Sequence, residues 1–112
     1  MLTEDFVSFE TAELLKEKGM NKSCFKHYVQ KNNNDGTSEA VTVCTLQMAC
    51  KWLREVHSLF ITIYPNYGTE KIAWSINQRD YDMNWVTIKH NYADYYEEAC
   101  EAAIQYCLEN LI

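Results

Sequence analysis

The stretch Thr45–Tyr64, TLQMACKWLREVHSLFITIY, constrains this chain more than any other. Leu46, Ala49, Leu53 and Val56 recur at i, i+3, i+7 and i+10, the spacing of one buried helical stripe. Gln47, Lys51, Arg54 and Glu55 fall on the opposite, wet face, and Cys50 and Trp52 flank the stripe. Thr45 is placed to cap the helix. His57 or Ser58 ends it, where an imidazole suits the negative end of the helix dipole. The period then switches from 3.6 to 2. Leu59, Ile61 and Ile63 alternate with Phe60, Thr62 and Tyr64, a β-branched and aromatic run that favours a strand. A helix feeding directly into a strand needs further strands and helices to cover both.

The rest of the chain supplies them. Ser8 is a good N-cap for a helix over FETAELLKEKG, with Val7 and Ala12 spaced as a hydrophobic staple and Gly19 as its C-terminal stop before Met20. SCFKHYVQ alternates, with Phe25, His27 and Val29 to one side and Cys24, Lys26 and Tyr28 to the other. The polar run Lys31–Ser38, KNNNDGTS, carries Asn34, Asp35 and Gly36 as turn residues, and AVTVC returns as a short strand. After the central unit, the turn Pro65-Asn66-Tyr67-Gly68 leads into KIAWSINQ. There Ile72, Trp74 and Ile76 oppose Ala73, Ser75 and Asn77. RDYDM turns the chain into NWVTIK, where Val86 and Ile88 oppose Trp85 and Thr87. A last helix starts near Asp94 or Tyr95, with Asp94 and Glu97 at capping-box spacing and Ala99, Ala103, Tyr106 and Leu111 near one face, beside Cys107. Short connections imply antiparallel pairing. The expected fold is therefore α+β: one domain over residues 1–112, with an antiparallel sheet of three to five strands, helices on one face, and the order helix, hairpin, helix, three strands, helix.

Charge narrows the function. With 16 acidic and 10 basic residues the net charge is −6. That argues against a phosphate-tracking nucleic-acid binder and against an anionic membrane surface. The order of residues 45–111 is also that of a double-stranded-RNA-binding domain. Here, though, the last helix opens DYYEEACEAA, and that acidic start would repel phosphate. No apolar run approaches the length of a membrane span, and the acidic opening MLTEDFVSFE does not read as a signal peptide. Five cysteines (24, 44, 50, 100 and 107) then read as free thiols of a reducing cytoplasm.

No catalytic arrangement is recognisable. Cys24 and His27 have C-x-x-H spacing without a second pair, too few ligands for zinc. The three glycines are isolated, so no loop cradles phosphate. Glu4/Asp5, Asp80/Asp82 and Glu97/Glu98 read as solvated charges at turns and helix starts. The expectation is no enzyme, no cofactor and no metal.

The aromatics point elsewhere. Three Trp and eight Tyr are many for 112 residues, and several fall at turns or element ends. Tyr and Trp bury large area at low entropic cost while keeping a polar tip, so they favour interfaces. Trp52, Arg54, Tyr67, Trp74 and Tyr81 are the candidate contact residues, for a protein partner or a second copy of the chain. A second reading is a small-ligand or nucleotide-sequestering module, with Arg54, Arg79 or Lys89 facing phosphate. A third is a Cys-dependent enzyme, in which one thiol would react much faster than the other four.

Three segments carry a resemblance: VSFETAELLKEKGM, TLQMACKWLREVHSLFITIYP and YYEEACEAAIQYCLENLI. They resemble small uncharacterised proteins of gut-bacterial phages and mobile elements. The match rests on Thr45, Trp52, Leu53, Arg54 and Glu55 in the middle. At the end it rests on Tyr96, Glu97, Glu98, Ala99, Glu101 and Ala102. Met20 stands where an aromatic is usual. The resemblance implies a setting, a phage-borne protein in a bacterial cytoplasm acting on a host protein such as a defence factor. It brings no catalytic residue with it.

Overall fold

A computed structural model describes residues 5–112. The first four residues of the acidic lead-in, Glu4 of the Glu4/Asp5 pair among them, lie outside the described residues. The elements are α1 (Phe9–Glu17), β1 (His27–Asn32), β2 (Ser38–Val43), α2 (Leu46–His57), β3 (Phe60–Pro65), β4 (Ile72–Arg79), β5 (Trp85–Ala93) and α3 (Tyr96–Tyr106). The chain is α+β in the expected order. Among the described residues, five antiparallel strands fall into two sheets, the hairpin β1-β2 and the meander β3-β4-β5.

α1 forms where its signals place it. Ser8 Oγ accepts the Thr11 amide, and Gly19 turns the chain at φ +99° so that the Met20 amide reaches the Leu15 carbonyl and Met20 buries. Only glycine enters that region without strain. A strand-like stretch before it is pinned to the start of α2. The Val7 amide donates to the Cys44 carbonyl, and the Leu46 amide donates to the Asp5 carbonyl.

The sequence placed Cys24 and Phe25 in the first strand, and the structure corrects this. Lys22–Cys24 form a 3-10 turn capped by the Asn21 side chain, and the strand begins at His27. Asn21 and Ser23 hydrogen-bond locally, which competes with pairing. Phe25 is buried and His27 exposed, so the two do not share a face.

On α2, Thr45 Oγ1 caps the Met48 amide, and Leu46, Ala49 and Leu53 are buried. Val56, expected on that stripe, is 59% exposed. Ser58 closes the helix in the left-handed region at φ 57°, and Leu59 folds back with its amide on the Leu53 carbonyl and is buried.

α2 and α3 cover one face of the meander. Its helix side presents Ile61, Ile63, Ile72, Trp74 and Ile76. α3 meets it with Ala99, Cys100, Ala103 and Ile104, and a widened π-type turn over Cys107–Leu111 adds Cys107 and Leu108. The expected Asp94–Glu97 capping box does not form. α3 starts one residue later than that spacing needs, so Tyr95 is the N-cap, without a side-chain cap bond, and Asp94 lies before the cap, where it pairs with Lys71. α1 is tied to α3 by a polar cluster. Thr11 Oγ1 donates to Glu101 Oε1 at 2.5 Å, the Ser8 amide donates to the same oxygen at 2.9 Å, and Gln105 Nε2 donates to Thr11 Oγ1 at 3.0 Å.

Candidate interaction surface

With both helices on one side, the other face of β3-β4-β5 is open. Cross-strand register sets what it shows, because residues directly opposite one another point the same way. Phe60, Asn77 and Thr87 form one row; Thr62, Ser75 and His90 the next; Tyr64, Ala73 and Tyr92 the third. Arg79 opposite Trp85 extends the face beyond Phe60. A bulge between Ile76 and Asn77 takes Ile88 out of register and keeps both ends of β5 on this alternation.

The face has two aromatic ends and a polar middle. At one end the Phe60 and Trp85 rings meet edge to face at 4.9 Å, and the Arg79 guanidinium lies 4.7 Å from the Trp85 ring. A shallow hollow of about 320 Å³ lies among Phe60, Thr62, Asn77 and Trp85. At the other end the His90 ring meets Tyr92 edge to face at 4.9 Å, and its Nε2 lies 3.0 Å from the Tyr64 hydroxyl. Between them Asn77 is fully engaged. Its Nδ2 donates to Ser75 Oγ at 3.1 Å and Thr62 Oγ1 at 3.3 Å, and its Oδ1 accepts from Thr87 Oγ1 at 2.8 Å. These bonds hold the polar side chains in place before anything docks. Trp85 is 52% exposed and Tyr92 48%. No carboxylate stands in any of these rows, although the chain has 16 acidic residues.

The five expected contact residues do not come together. Trp74 points to the helix side and is 4% exposed, a core residue beside Tyr106. Tyr67 and Tyr81 are fully outside, but in the turns at opposite ends of β4, some eight residues or roughly 26 Å apart by strand rise. Trp52 is half-buried on α2, its ring edge against His57 at 4.7 Å. Arg54 is exposed on the same helix. Phe60, Trp85 and His90 were not among the expected contacts; Arg79 was expected only as a phosphate partner, and Tyr64 and Tyr92 only as element-end aromatics. Alternation had put Phe60 with Tyr64, and Trp85 with Thr87, on faces opposite the aliphatic residues. It could not join the two sets, because register across three strands is not written in any one of them.

A second concavity lies on the helix side, between α2, the β3 edge and the start of α3. This cleft of about 780 Å³ is lined by Met48, Cys50, Arg54, Ile61, Tyr96 and Cys100 among others. Its two thiols touch, Sγ to Sγ 3.6 Å. The Cys100 S–H donating to it and the nearby Arg54 hold Cys50 below the ordinary thiol range, and the same contact with burial pushes Cys100 up. Burial pushes Cys44 and Cys107 up to about 12. The three cations considered for phosphate are dispersed: Arg54 at this cleft, Arg79 on the open face, and Lys89 over the Tyr106 ring on the helix side.

Among the described residues, no group of three or more His, Cys, Asp or Glu is placed to hold a metal ion, and no helix is long and apolar enough to cross a membrane. Comparisons with protein-family models, curated proteins and solved structures returned no match.

Proposed function

We propose that this chain is a non-enzymatic protein-binding module whose contact core is the open face of β3-β4-β5. One observation carries the reading: that face is aromatic at both ends, holds Arg79, and contains no carboxylate in an otherwise acidic chain. The centres of protein interfaces have this composition, enriched in aromatics and Arg and depleted in Glu, Asp and Lys. Three strands give roughly 350 Å² of flat face at ordinary strand spacing and rise, enough for a contact core with surrounding loops as rim. The net charge of −6 fits a partner whose apolar patch is ringed by Lys and Arg, since complementary rims speed encounter. A second copy would bring like-charged rims together. The resemblance to phage proteins supplies the setting, a bacterial cytoplasm with a host protein, such as a defence factor, as partner.

The test is capture from bacterial lysate with the wild type, Trp85→Ala, Tyr92→Ala and a control substitution at Tyr28 on the β1-β2 hairpin. The reading expects a protein held by the wild type and the Tyr28 variant and weakened about 30-fold or more by Trp85→Ala, the scale of a hot-spot truncation. Capture indifferent to both face substitutions would sink it.

The helix-side cleft favours a second reading, a small anionic ligand. Its volume of about 780 Å³ is that of a ligand site, with Arg54 and Lys51 on its wall. Thermal stabilisation by a nucleotide, abolished in Arg54→Ala, would put this reading first. A flat response across the panel removes it.

A further inference from the structure

We infer that Cys50 and Cys100 form a redox-active dithiol, with Cys50 as the attacking thiol and Cys100 as the resolving one, exchanging with low-molecular-weight disulfides that enter by the helix-side cleft. The geometry is that of a pair in waiting. The two sulfurs are 3.6 Å apart, so closing to the S–S bond length takes about 1.5 Å. The partners come from different elements, the middle of α2 and the first turns of α3, brought together by packing on the same sheet.

Access and chemistry divide the roles. Cys50 is partly exposed and Cys100 is 5% exposed, yet both line the cleft. Arg54, one helical turn beyond Cys50, favours its thiolate, and the Cys100 S–H donates to it. The other three thiols lack these conditions. Cys44 and Cys107 are buried, and burial penalises their ionised form. Cys24 lies in the 3-10 turn and lines neither concavity described above.

The steps balance as ordinary thiol–disulfide exchange. The Cys50 thiolate attacks one sulfur of an external disulfide RSSR, forming a mixed disulfide and releasing RS⁻, which takes a proton from solvent. Cys100 gives up its proton and attacks the Cys50 sulfur, and the second RS⁻ leaves and is protonated. The protein loses two hydrogens as RSSR becomes two RSH.

The experiment uses the full reduced chain in native buffers of oxidised and reduced glutathione, quenched by alkylation and mapped by peptide mass spectrometry. One intramolecular disulfide, Cys50 to Cys100, is expected to accumulate, and Cys50 is expected to alkylate at least about tenfold faster than Cys44 or Cys107. Cys100→Ser should trap glutathione on Cys50. Cys50→Ser should give neither disulfide nor adduct at Cys100. Wild-type chain in which Cys50 and Cys100 both stay alkylatable under oxidising glutathione overturns the inference, whatever the variants do. So does a Cys100→Ser protein, folded by circular dichroism, that gains no adduct at Cys50.

Discussion

Two polar side chains at the margins of a largely apolar interior behave in opposite ways. Thr11 is fully buried, yet its hydroxyl donates to Glu101 and accepts from Gln105 and from Ser8 Oγ, so one oxygen serves both helices. Thr11→Val keeps the shape and removes the hydroxyl. It leaves Glu101 with only the Ser8 amide among these partners, and should cost about 1–2 kcal/mol in urea unfolding. A loss below about 0.5 kcal/mol would mean the cluster is solvated and holds α1 weakly. His57 is the opposite case. Its Nε2 is buried without a partner among the described residues, while its ring packs against Trp52. His57→Phe retains the ring contact and removes the orphan nitrogen. The unfolding free energy should hold or rise by up to about 1 kcal/mol, seen as a melting shift of up to about 4 °C. A clear drop would show that this nitrogen has a partner in solution. Neither role was legible in the sequence. The sequence offers no signal for Thr11 and marks His57 only as a helix end, because both roles depend on what packs opposite.

At the scale of elements, local signals worked where the deciding groups are neighbours in sequence and failed where a distant group intervenes. Ser8, Thr45 and Gly19 act on backbone within a few residues, and each behaves as its position dictates. Asp94 does not: α3 starts at Tyr96 with Tyr95 as its N-cap, so Asp94 lies one position too early and pairs with Lys71 from a distant strand end. The end of α2 carries a cost visible in the backbone. Ser58 sits at φ 57°, where a Cβ is crowded and glycine is not. Ser58→Gly should raise stability by roughly 0.5–1 kcal/mol by chemical denaturation, and a loss would mean that the Ser58 side chain contributes more than the strain it bears. The hairpin β1-β2 stands apart from the meander. It is mostly exposed, and is held by Val43 in the core and by Lys16 Nζ on the Thr42 carbonyl and hydroxyl. Its turn is fastened by Asp35, whose carboxylate accepts from the Thr37 hydroxyl at 2.6 Å and amide at 3.0 Å. Those bonds, the hydroxyl first, lower the Asp35 pKa in the folded state. The stabilisation is therefore complete above the unfolded carboxyl value of about 3.9 and is lost as pH falls through the lower folded value. Native-state hydrogen exchange should find the amides of Val29–Val41 opening well below the global free energy, with Thr37 protection falling as Asp35 protonates. Hairpin exchange matching that of β4 would show instead one cooperative unit.

For the whole molecule, the helix-bearing side of the sheet was readable and the open side was not, and one physical cause accounts for both. The core side is marked by aliphatic residues that must be buried wherever they land, so Ile61, Ile63, Ile72 and Ile76 announce it strand by strand. The open face is under no such compulsion. Alternation sets Trp74 with the aliphatic residues and Trp85 against them, but only pairing register shows that Trp85 shares a face with Phe60 and Arg79. The same long-range assembly brings Cys50 to Cys100 across fifty residues of sequence. Closing that loop covalently would remove freedom from the unfolded chain, by about 4 kcal/mol in the chain-entropy treatment for a separation of this size. The folded state already holds the sulfurs in contact, so little strain offsets the gain. The oxidised protein should therefore unfold at a higher denaturant midpoint than the reduced protein, by about 2–4 kcal/mol, and Cys50→Ser should abolish the difference between oxidising and reducing buffers. If oxidation forms the bond and stability falls, then α2 and α3 are pulled out of register by it. The dithiol would then act by loosening the two helices that cover the sheet.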